Sequence, residues 1–541
     1  ATLVNTFASP DSANTIDFHS AVYFLRYSGS LYVTREVTSA ALNARSTRGQ
    51  LAIDSDGSLP TEIVKNEPDW EAQKSSLAGD NHTFIARYPG ELGNSLKVEI
   101  CPADSAASVI FTNWAYANEF DAAPGTSDYA SDRGASNDEI HVVVIDSDGE
   151  FTGTRGTILE RYPFVSIATD AKNADGTTNY ALDIINNRSE YLWKAGWDSD
   201  FTAARGATGI VANGKNFIAT SLSTAGTTQP YSFTKGANSG ALTTTEYLAG
   251  YDLYEDKDIV EVDFLIAPSM NSRVDQTTVV NDLITTAQSL RKDCVVAASP
   301  ARTDVLGLTN TATMTTNIVT TANTFTNSSY LVNDGNFLKI YDKYNDQYIN
   351  IPAASSTAGI MAATDLNRAP WFSPAGSRRG QYLGITSIAY SPTKAQRDTL
   401  YKASVNPIAN IPGQGVLLFG DKTKLGRPSA FDRINVRRLF LVLERAIGRA
   451  AEQVMFEFND EFTRAEFVNI VEPVLREVQG RRGITDFRVV CDETNNTPAV
   501  VDRNEFIANI FIKPARSINY VTLNFVAVRT GVDFEEVVGT V

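Results

Sequence analysis

The stretch Asn435–Val454, NVRRLFLVLERAIGRAAEQV, decides how the last quarter of this chain folds. Its apolar residues Val436, Leu439, Phe440, Leu443, Ile447, Ala450, Ala451 and Val454 recur at three-and-four spacing, which lines one face of an α-helix. That face must be buried. The remaining surface carries Arg437, Arg438, Arg445 and Arg449, too many guanidinium groups to sit dry without carboxylates, so they face water or an acidic neighbour.

Outward from this helix the chain reads as α+β. A strand at Val416–Phe419 precedes it. A second helix is expected from Thr463, capped by its hydroxyl with Glu466 reaching back, with apolar positions at Phe467, Ile470, Val471, Val474, Leu475 and Val478, a kink at Pro473 and a stop at Gly480. Strands are expected at Asp486–Cys491, Glu505–Ile512 and Ile518–Arg529, so helices would pack on a largely antiparallel sheet. The segment Asn406–Gly415, with two prolines and two glycines, reads as a linker into this region.

Further upstream the grammar changes. A mostly apolar run at Ile259–Ile266, helical spacing at Asp275–Leu290 and another apolar run at Cys294–Ala298 predict a βαβ unit and a partly parallel sheet. The Thr-rich stretch Thr309–Thr326 is expected to interrupt this domain before a strand at Phe337–Tyr341. Residues Thr83–Ile110 and Glu139–Phe164 are β-rich, with β-branched runs between Gly-containing turns. The Thr, Ser, Gly and Asn content of Phe201–Thr245 suits an exposed protrusion. Near the start, Ala21–Val33 reads as a helix end, a Gly turn and a strand.

A chain of 541 residues exceeds one hydrophobic core several times over, so about three or four domains are expected. Runs such as Leu439–Leu443 fall far short of a membrane span, and the N-terminal residues have neither the basic nor the apolar region of a cleaved leader. With 63 acidic against 47 basic side chains the net charge is −16, which disfavours binding to nucleic acid or an anionic membrane. Cys101, Cys294 and Cys491 are far apart and odd in number, and read as buried free thiols made in a reducing cytoplasm.

No constellation carries catalysis. His19, His82 and His141 stand alone, without a partner at metal-ligand spacing. Ile53–Gly57 and Ile145–Gly149 share the opening of a calcium loop, but the Gly comes too early and no Glu closes them, so they read as turns. Gly413-Gln414-Gly415 precedes a strand, the wrong order for a phosphate cradle. Glu535 and Glu536 adjoin on an extended segment, with no cleft to raise either pKa. Neither an enzyme nor a cofactor or metal site is expected.

Several blocks in order resemble the contractile tail sheath proteins of myovirus-type phages. They are Arg87-Tyr88-Pro89-Gly90-Glu91-Leu92-Gly93-Asn94-Ser95-Leu96, Val262-Asp263-Phe264-Leu265-Ile266-Ala267-Pro268, and Gly359-Ile360-Met361-Ala362-Ala363-Thr364-Asp365 with Trp371 and Pro374 after it. The strongest runs from Asn406-Pro407-Ile408 through Phe431-Asp432-Arg433-Ile434-Asn435-Val436-Arg437-Arg438 to Val532-Asp533-Phe534. The resemblance implies a discontinuous middle α/β domain (1–50 with 251–405), an inserted β-rich outer domain (51–250), and a C-terminal sheath core domain with a terminal arm (406–541). It also implies a helical homopolymer of stacked rings around an inner tail tube protein, with baseplate and tail terminator proteins as partners, no direct nucleic acid and no membrane insertion. Such a sheath contracts to drive the tube through the host envelope, and the protein is made in the host cytoplasm and works in the virion tail. The sheath of a non-viral contractile injection system, or a β-rich secreted hydrolase, are the alternatives.

The residues themselves suggest how such a polymer would join. In Gly531–Val541 the apolar Val532, Phe534, Val537 and Val538 alternate with or flank Asp533, Glu535 and Glu536, and a segment this short cannot bury its own apolar face. Strand addition to a neighbour's sheet would cover it, against the simpler alternatives of a frayed end or a strand of its own subunit. In that arrangement Glu535 and Glu536 of one copy meet Arg437, Arg438, Arg445 and Arg449 of another. Pairing of these arginines within the chain, with Asp432, Glu444 and Glu452, is the alternative.

Overall fold

The computed structural model describes residues 2–7, 9–47, 63–77, 84–103, 109–197, 201, 208–218 and 229–518. Its chain divides into two compact units, one of residues 1–13 with 34–250 and the other of residues 14–33 with 251–541.

The first unit is built on β1 (Asn43–Thr47), β2 (Phe84–Pro89), β3 (Leu96–Pro102), β4 (Glu139–Asp146), β5 (Thr157–Ser166), β6 (Leu192–Lys194) and β7 (Gln229–Thr234). They form one sheet in the order β5-β4-β3-β7-β1-β2-β6, with every pair antiparallel. Alternation along β4 sends Val142 and Val144 to one core with Val98 and Ile100, and Val143 and Ile145 to a second core with Trp114 and Phe120. Both faces of the central strands are therefore covered, which is why HVVVI is an unbroken apolar run. β1 belongs to this sheet, so residues 43–47 lie with the outer β-rich unit rather than with the middle one.

Two expectations change here. The stretch read as a protrusion contributes β7 to the middle of the sheet, with Tyr231 and Phe233 in the core. Its large apolar residues are few, but Tyr231 and Phe233 alternate along β7 and are buried, while Ile210 and Val211 are exposed; the stretch lies partly outside the described residues. The Arg87–Leu96 block is a tight join between β2 and β3. A Cβ on Gly93 would stand 2.8 Å from those of Ala44 and Ala86, and Asn94 brackets Gly236 with two hydrogen bonds, accepting at 2.8 Å and donating at 3.0 Å. The turn after β4 is organised by Asp146, which accepts from Ser95, Gly149, Phe151 and Thr152. Burial alone would raise its pKa, and these donors lower it. Residues 53–57 lie outside the described residues.

In the second unit α1 (Thr15–Phe24) starts the chain path, and residues 31–33 beyond it join no ladder, unlike the strand expected there. The βαβ reading holds. β8 (Phe264–Ile266) and β9 (Val295–Ala298) are parallel, joined through α2 (Arg273–Thr285), and β10 (Leu331–Asn333) extends the sheet in parallel. All four residues of β9 are buried, so helices cover both faces.

The Thr-rich stretch is a helix, α3 (Thr311–Thr324), not an interruption. Asn310 caps it by accepting from the amides of Ala312 and Thr313, and Thr315, Thr316 and Thr320 donate to carbonyls four residues back. β11 (Phe337–Asp342) then pairs with β12 (Gln347–Pro352) and β13 (Ser387–Ile388), and α4 (Ala354–Asn367) is buried along almost its whole length.

The expected linker is also part of the fold. β14 (Ile408–Ile411) and β15 (Gly415–Leu418) form a hairpin turning at Gly413, whose φ of 78° favours glycine. Asn406 just ahead is wholly buried and donates to Asn333 and Lys422 carbonyls while accepting from the Lys422 amide. The long helix α5 (Ile434–Gln453) follows, then α6 (Glu461–Gly480), which starts two residues earlier than expected. Asp460, not Thr463, is the cap, accepting from the Thr463 amide at 2.9 Å. Finally β16 (Ile484–Val490) and β17 (Asn509–Pro514) pair antiparallel beside α6.

Candidate assembly interface

Helix α5 is buried on two sides, where its spacing had suggested one. Leu439, Leu443 and Ala450 pack with Phe467, Val471, Leu475 and Val478 of α6. Ile434 and Leu441 join a different core with Val295, Ala297 and Val332 of the parallel sheet and with Ala354, Ala358 and Met361 of α4. Each such side chain contributes about 1.5–3 kcal/mol when fully buried. The helix is therefore the seam between the α/β sheet and the C-terminal core.

That seam explains the arginines. Arg437 is 8% exposed: its guanidinium donates twice to the Ser329 hydroxyl, at 2.9 and 2.6 Å, and lies over the rings of Tyr330 and Phe431. Burial lowers its pKa, which Tyr330 and Glu444 oppose. Arg438 is 5% exposed, donates to the Met361 carbonyl at 3.2 Å, pairs with the Asp365 carboxylate and lies over Phe264. Burial raises the Asp365 pKa while Arg438 pulls it down. Arg445 bridges Asp263 at 2.9 Å and Glu261 at 3.5 Å and donates to the Asp293 carbonyl. Arg449, at the far end, meets Glu261 at 3.2 Å and keeps its side chain 67% exposed.

The arginines thus grade from buried to exposed along the helix. The carboxylates within ion-pair distance of Arg438, Arg445 and Arg449 come from the α/β region; Glu444 acts on Arg437 through its charge without an ion-pair contact, and Asp432 meets Arg433 at 3.5 Å. The sequence blocks had held the answer. Asp263 and Phe264 belong to one, Met361 and Asp365 to another, and Arg437 and Arg438 to a third, and the fold brings all three together at this seam.

Trp371, from the end of the second block, donates to the Arg481 carbonyl at 3.1 Å and sits against Gly483, where a Cβ would come within 3.0 Å of the indole. Beyond it, β16 and β17 each have one ladder neighbour among the described residues, and the exposure of β17 alternates along its length, with Phe511 59% exposed. The chain leaves this sheet toward Ile518, which is 84% exposed. The expected strand after it, and the arm with Val532, Asp533, Phe534, Glu535 and Glu536, lie outside the described residues.

One surface went unread in the sequence. Between α5 and α6 the residues Met455, Phe456, Phe458 and Phe462 are all more than half exposed. Their signal was an aromatic-acidic alternation, FEFNDEF, following a helix whose own period had ended.

Several of the residues screened for chemistry are engaged in packing within the fold. His141 is buried, stacked on Phe120 with ring centroids 4.3 Å apart; its Nδ1 accepts from the Phe164 amide and its Nε2 donates to the Ala122 carbonyl. His19 is buried 3.0 Å from Asp342, and His82 lies outside the described residues. All three cysteines are free and buried, and burial pushes the Cys294 thiol up to about 12. A cleft of about 410 Å³ in the first unit is lined by Glu160, Tyr162, Asn173 and Arg188 among others, but Glu160 is spent accepting from Tyr162, Ser189 and Glu190. Among the described residues no group of three or more His, Cys, Asp or Glu side chains could hold a metal, and no helix is long and apolar enough to cross a membrane.

Comparison with known proteins bears on the same region. The phage tail sheath protein central domain matches residues 240–424, and the phage tail sheath C-terminal domain matches residues 427–527. The tail sheath protein of Enterobacteria phage T4 is 32% identical, covering 99% of this chain and 92% of that protein. That of Salmonella phage ViI is 31% identical over 99% of this chain and 90% of its own length, and that of Vibrio phage KVP40 is 41% identical over 57% of this chain and 48% of its own.

Proposed function

The chain belongs to the phage tail sheath protein family, and from that premise we propose that it is the structural subunit of a contractile tail sheath. In this reading it polymerises helically around an inner tail tube, meets baseplate and terminator proteins at the ends of the polymer, and contracts to drive the tube through the host envelope. It is made in the host cytoplasm and works in the virion tail. The observation that carries the reading is a relationship to a tail sheath protein extending over 99% of the chain.

A two-stranded sheet with no further ladder neighbour among the described residues, followed by the exposed Ile518, supports the joining mechanism. The arm 531–541 adds as a strand to a neighbouring copy, covering Val532 and Phe534 and satisfying its backbone groups. Of the arginines expected to receive Glu535 and Glu536, Arg437 and Arg438 are engaged within their own subunit, so the role passes to Arg445 and above all to Arg449. An exposed pair contributes only about 0–1 kcal/mol, so backbone and apolar contacts supply most of the affinity and charge sets the register.

Contraction requires no active site. The buried arginines of α5 fasten the parallel sheet to the C-terminal core, so these parts shift together as one body while the arms keep subunits joined. Many small gains in contact between subunits then drive the movement. Electron microscopy of the purified chain tests the assignment: helical tubes are expected, and superposition of subunits from long and shortened tubes should show the α5 seam unchanged. Persistent monomers at every concentration, or a seam that refolds between the two lattices, would reject it.

A further inference from the structure

The turn into α6 and the far end of α6 are complementary surfaces that cannot reach each other within one subunit. At the turn, Phe456 is 102% exposed, Phe458 82% and Phe462 77%. Phe456 also holds a φ of 70°, a left-handed conformation unfavourable for an aromatic residue. The exposed carboxylates Glu457, Asp460 and Glu461 are interleaved with these rings. The nearby cation Arg464 is buried and bonded to Asn459; its charge reaches Asp460, but among the described residues no ion pair joins a cation to Glu457 or Glu461.

Twenty residues of α6 separate this tip from its other end, about 30 Å. There Arg368, Arg378, Arg379 and Arg481 gather. Arg481 donates to the Arg368 carbonyl at 2.9 Å and lies over Trp371, and Arg379 lies over Phe372. Only Arg481 has a carboxylate close by, Glu477 at 3.4 Å; among the described residues Arg368, Arg378 and Arg379 pair with none. Burial and the neighbouring Arg368 and Arg378 lower the Arg379 pKa, as an uncompensated cluster should. Beside it Leu366 is 74% exposed. In a chain of net charge −16, concentrated unpaired guanidinium groups are a specific feature.

We infer that the aromatic, acidic tip 455–462 of one subunit docks on the arginine cluster Arg368/Arg378/Arg379/Arg481 of a second copy of this chain. Two different patches on opposite ends of a rigid helix make a heterologous contact, which does not close as a pair and propagates into a ring or an open helical polymer. The rings bury against Leu366 and the stacked guanidinium planes, while the carboxylates relieve the repulsion among the arginines. This rests on the sheath reading and adds to the arm a second, independent contact between subunits.

Charge exchange in the full chain tests it. Glu457→Arg with Glu461→Arg, or Arg368→Glu with Arg378→Glu, should each raise the concentration needed for tube formation about tenfold or more. The variant carrying all four changes should recover assembly. The altered side chains are exposed, so circular dichroism should show unchanged folding. If a reversal nevertheless misfolds, oxidation of a Glu457→Cys, Arg378→Cys variant replaces it: a ladder of cross-linked multimers is expected, and monomers recovered from oxidised tubes would overturn the contact. Normal assembly of both reversals would overturn it as well. Loss of binding to tail tube protein without loss of self-assembly would assign the surface to the tube instead. Failure of the unaltered chain to assemble is a different result, and would count against the sheath reading itself.

Discussion

Among the described residues, seven strands of the first unit share one antiparallel ladder, whereas those of the second unit divide among sheets of three, three, two and two. In the first, backbone hydrogen bonds run continuously from β5 to β6, and two cores on opposite faces of the sheet complete the packing. In the second, the small sheets are fastened by side chains: Arg438 to Asp365, Asn406 across to Asn333 and Lys422, and Asp334 to Ser299 and Thr357. A two-stranded sheet is marginal alone, and β16–β17 packs against α6 and has no further ladder neighbour among the described residues. The difference separates a region held by one continuous ladder from one whose small sheets are held to each other by side chains.

One buried group in each unit should respond to pH in opposite directions, Asp334 in the second and His141 in the first, and the larger effect belongs to Asp334. Asp334 is fully buried, and burial raises its carboxyl to about 7 despite the hydrogen bonds from Ser299, Asn336 and Thr357. The folded state holds a proton that the unfolded chain releases near pH 4, so stability is full below that value and falls as pH rises towards 7. The loss is as much as about 4 kcal/mol, read by urea unfolding across this range. Asp334→Asn should flatten the curve; an unchanged slope would remove Asp334 as its cause.

Next in size is the seam. Arg438→Ala leaves Asp365 without its cation in a largely buried place and should cost about 3 kcal/mol. Hydrogen exchange should show that loss in α4, α5 and β8 but not in the seven-stranded sheet. Equal loss in both units would erase the distinction drawn between them.

The first unit is sharpened by acid. Burial lowers the His141 pKa, and its Nδ1 is already an acceptor from Phe164, so the folded state resists the proton that the unfolded chain takes up below about pH 6.5. Stability should be full above that pH and fall below it by up to about 1.4 kcal/mol per unit. Exchange of β4 and β5 amides at pH 5 against pH 7 measures this, and His141→Gln should weaken the dependence. The smallest effect is expected at the exposed end of α5. Arg449→Ala should change subunit stability by less than about 1 kcal/mol, in contrast to Arg438 about 16 Å along the same helix.

Much of this architecture was legible in the sequence because periodicity reports burial directly. The βαβ unit, the helices α5 and α6 and the apolar β3 and β4 were read from spacing alone. What escaped was settled by tertiary contacts. Threonines gave α3 no apolar stripe, yet the Asn310 cap and back-bonded hydroxyls sustain it. Prolines and glycines at 406–415 marked a hairpin that is buried through Asn406, which composition could not distinguish from a linker. In α5 the near-continuous run LFLVL concealed a second buried side, with Leu441 facing the parallel sheet. The arginines were singled out as needing carboxylate partners, but the distance in sequence to Asp365, Asp263 and Glu261 hid which ones.

The central claim is that the C-terminal region is completed between copies, and removal of its last residues tests it most directly. Tube formation by the full chain and by a chain lacking residues 531–541 is compared by electron microscopy, with unfolding of each subunit measured alongside. The account predicts tubes from the first and folded, non-polymerising subunits from the second. Tubes of normal length from the shortened chain would contradict it.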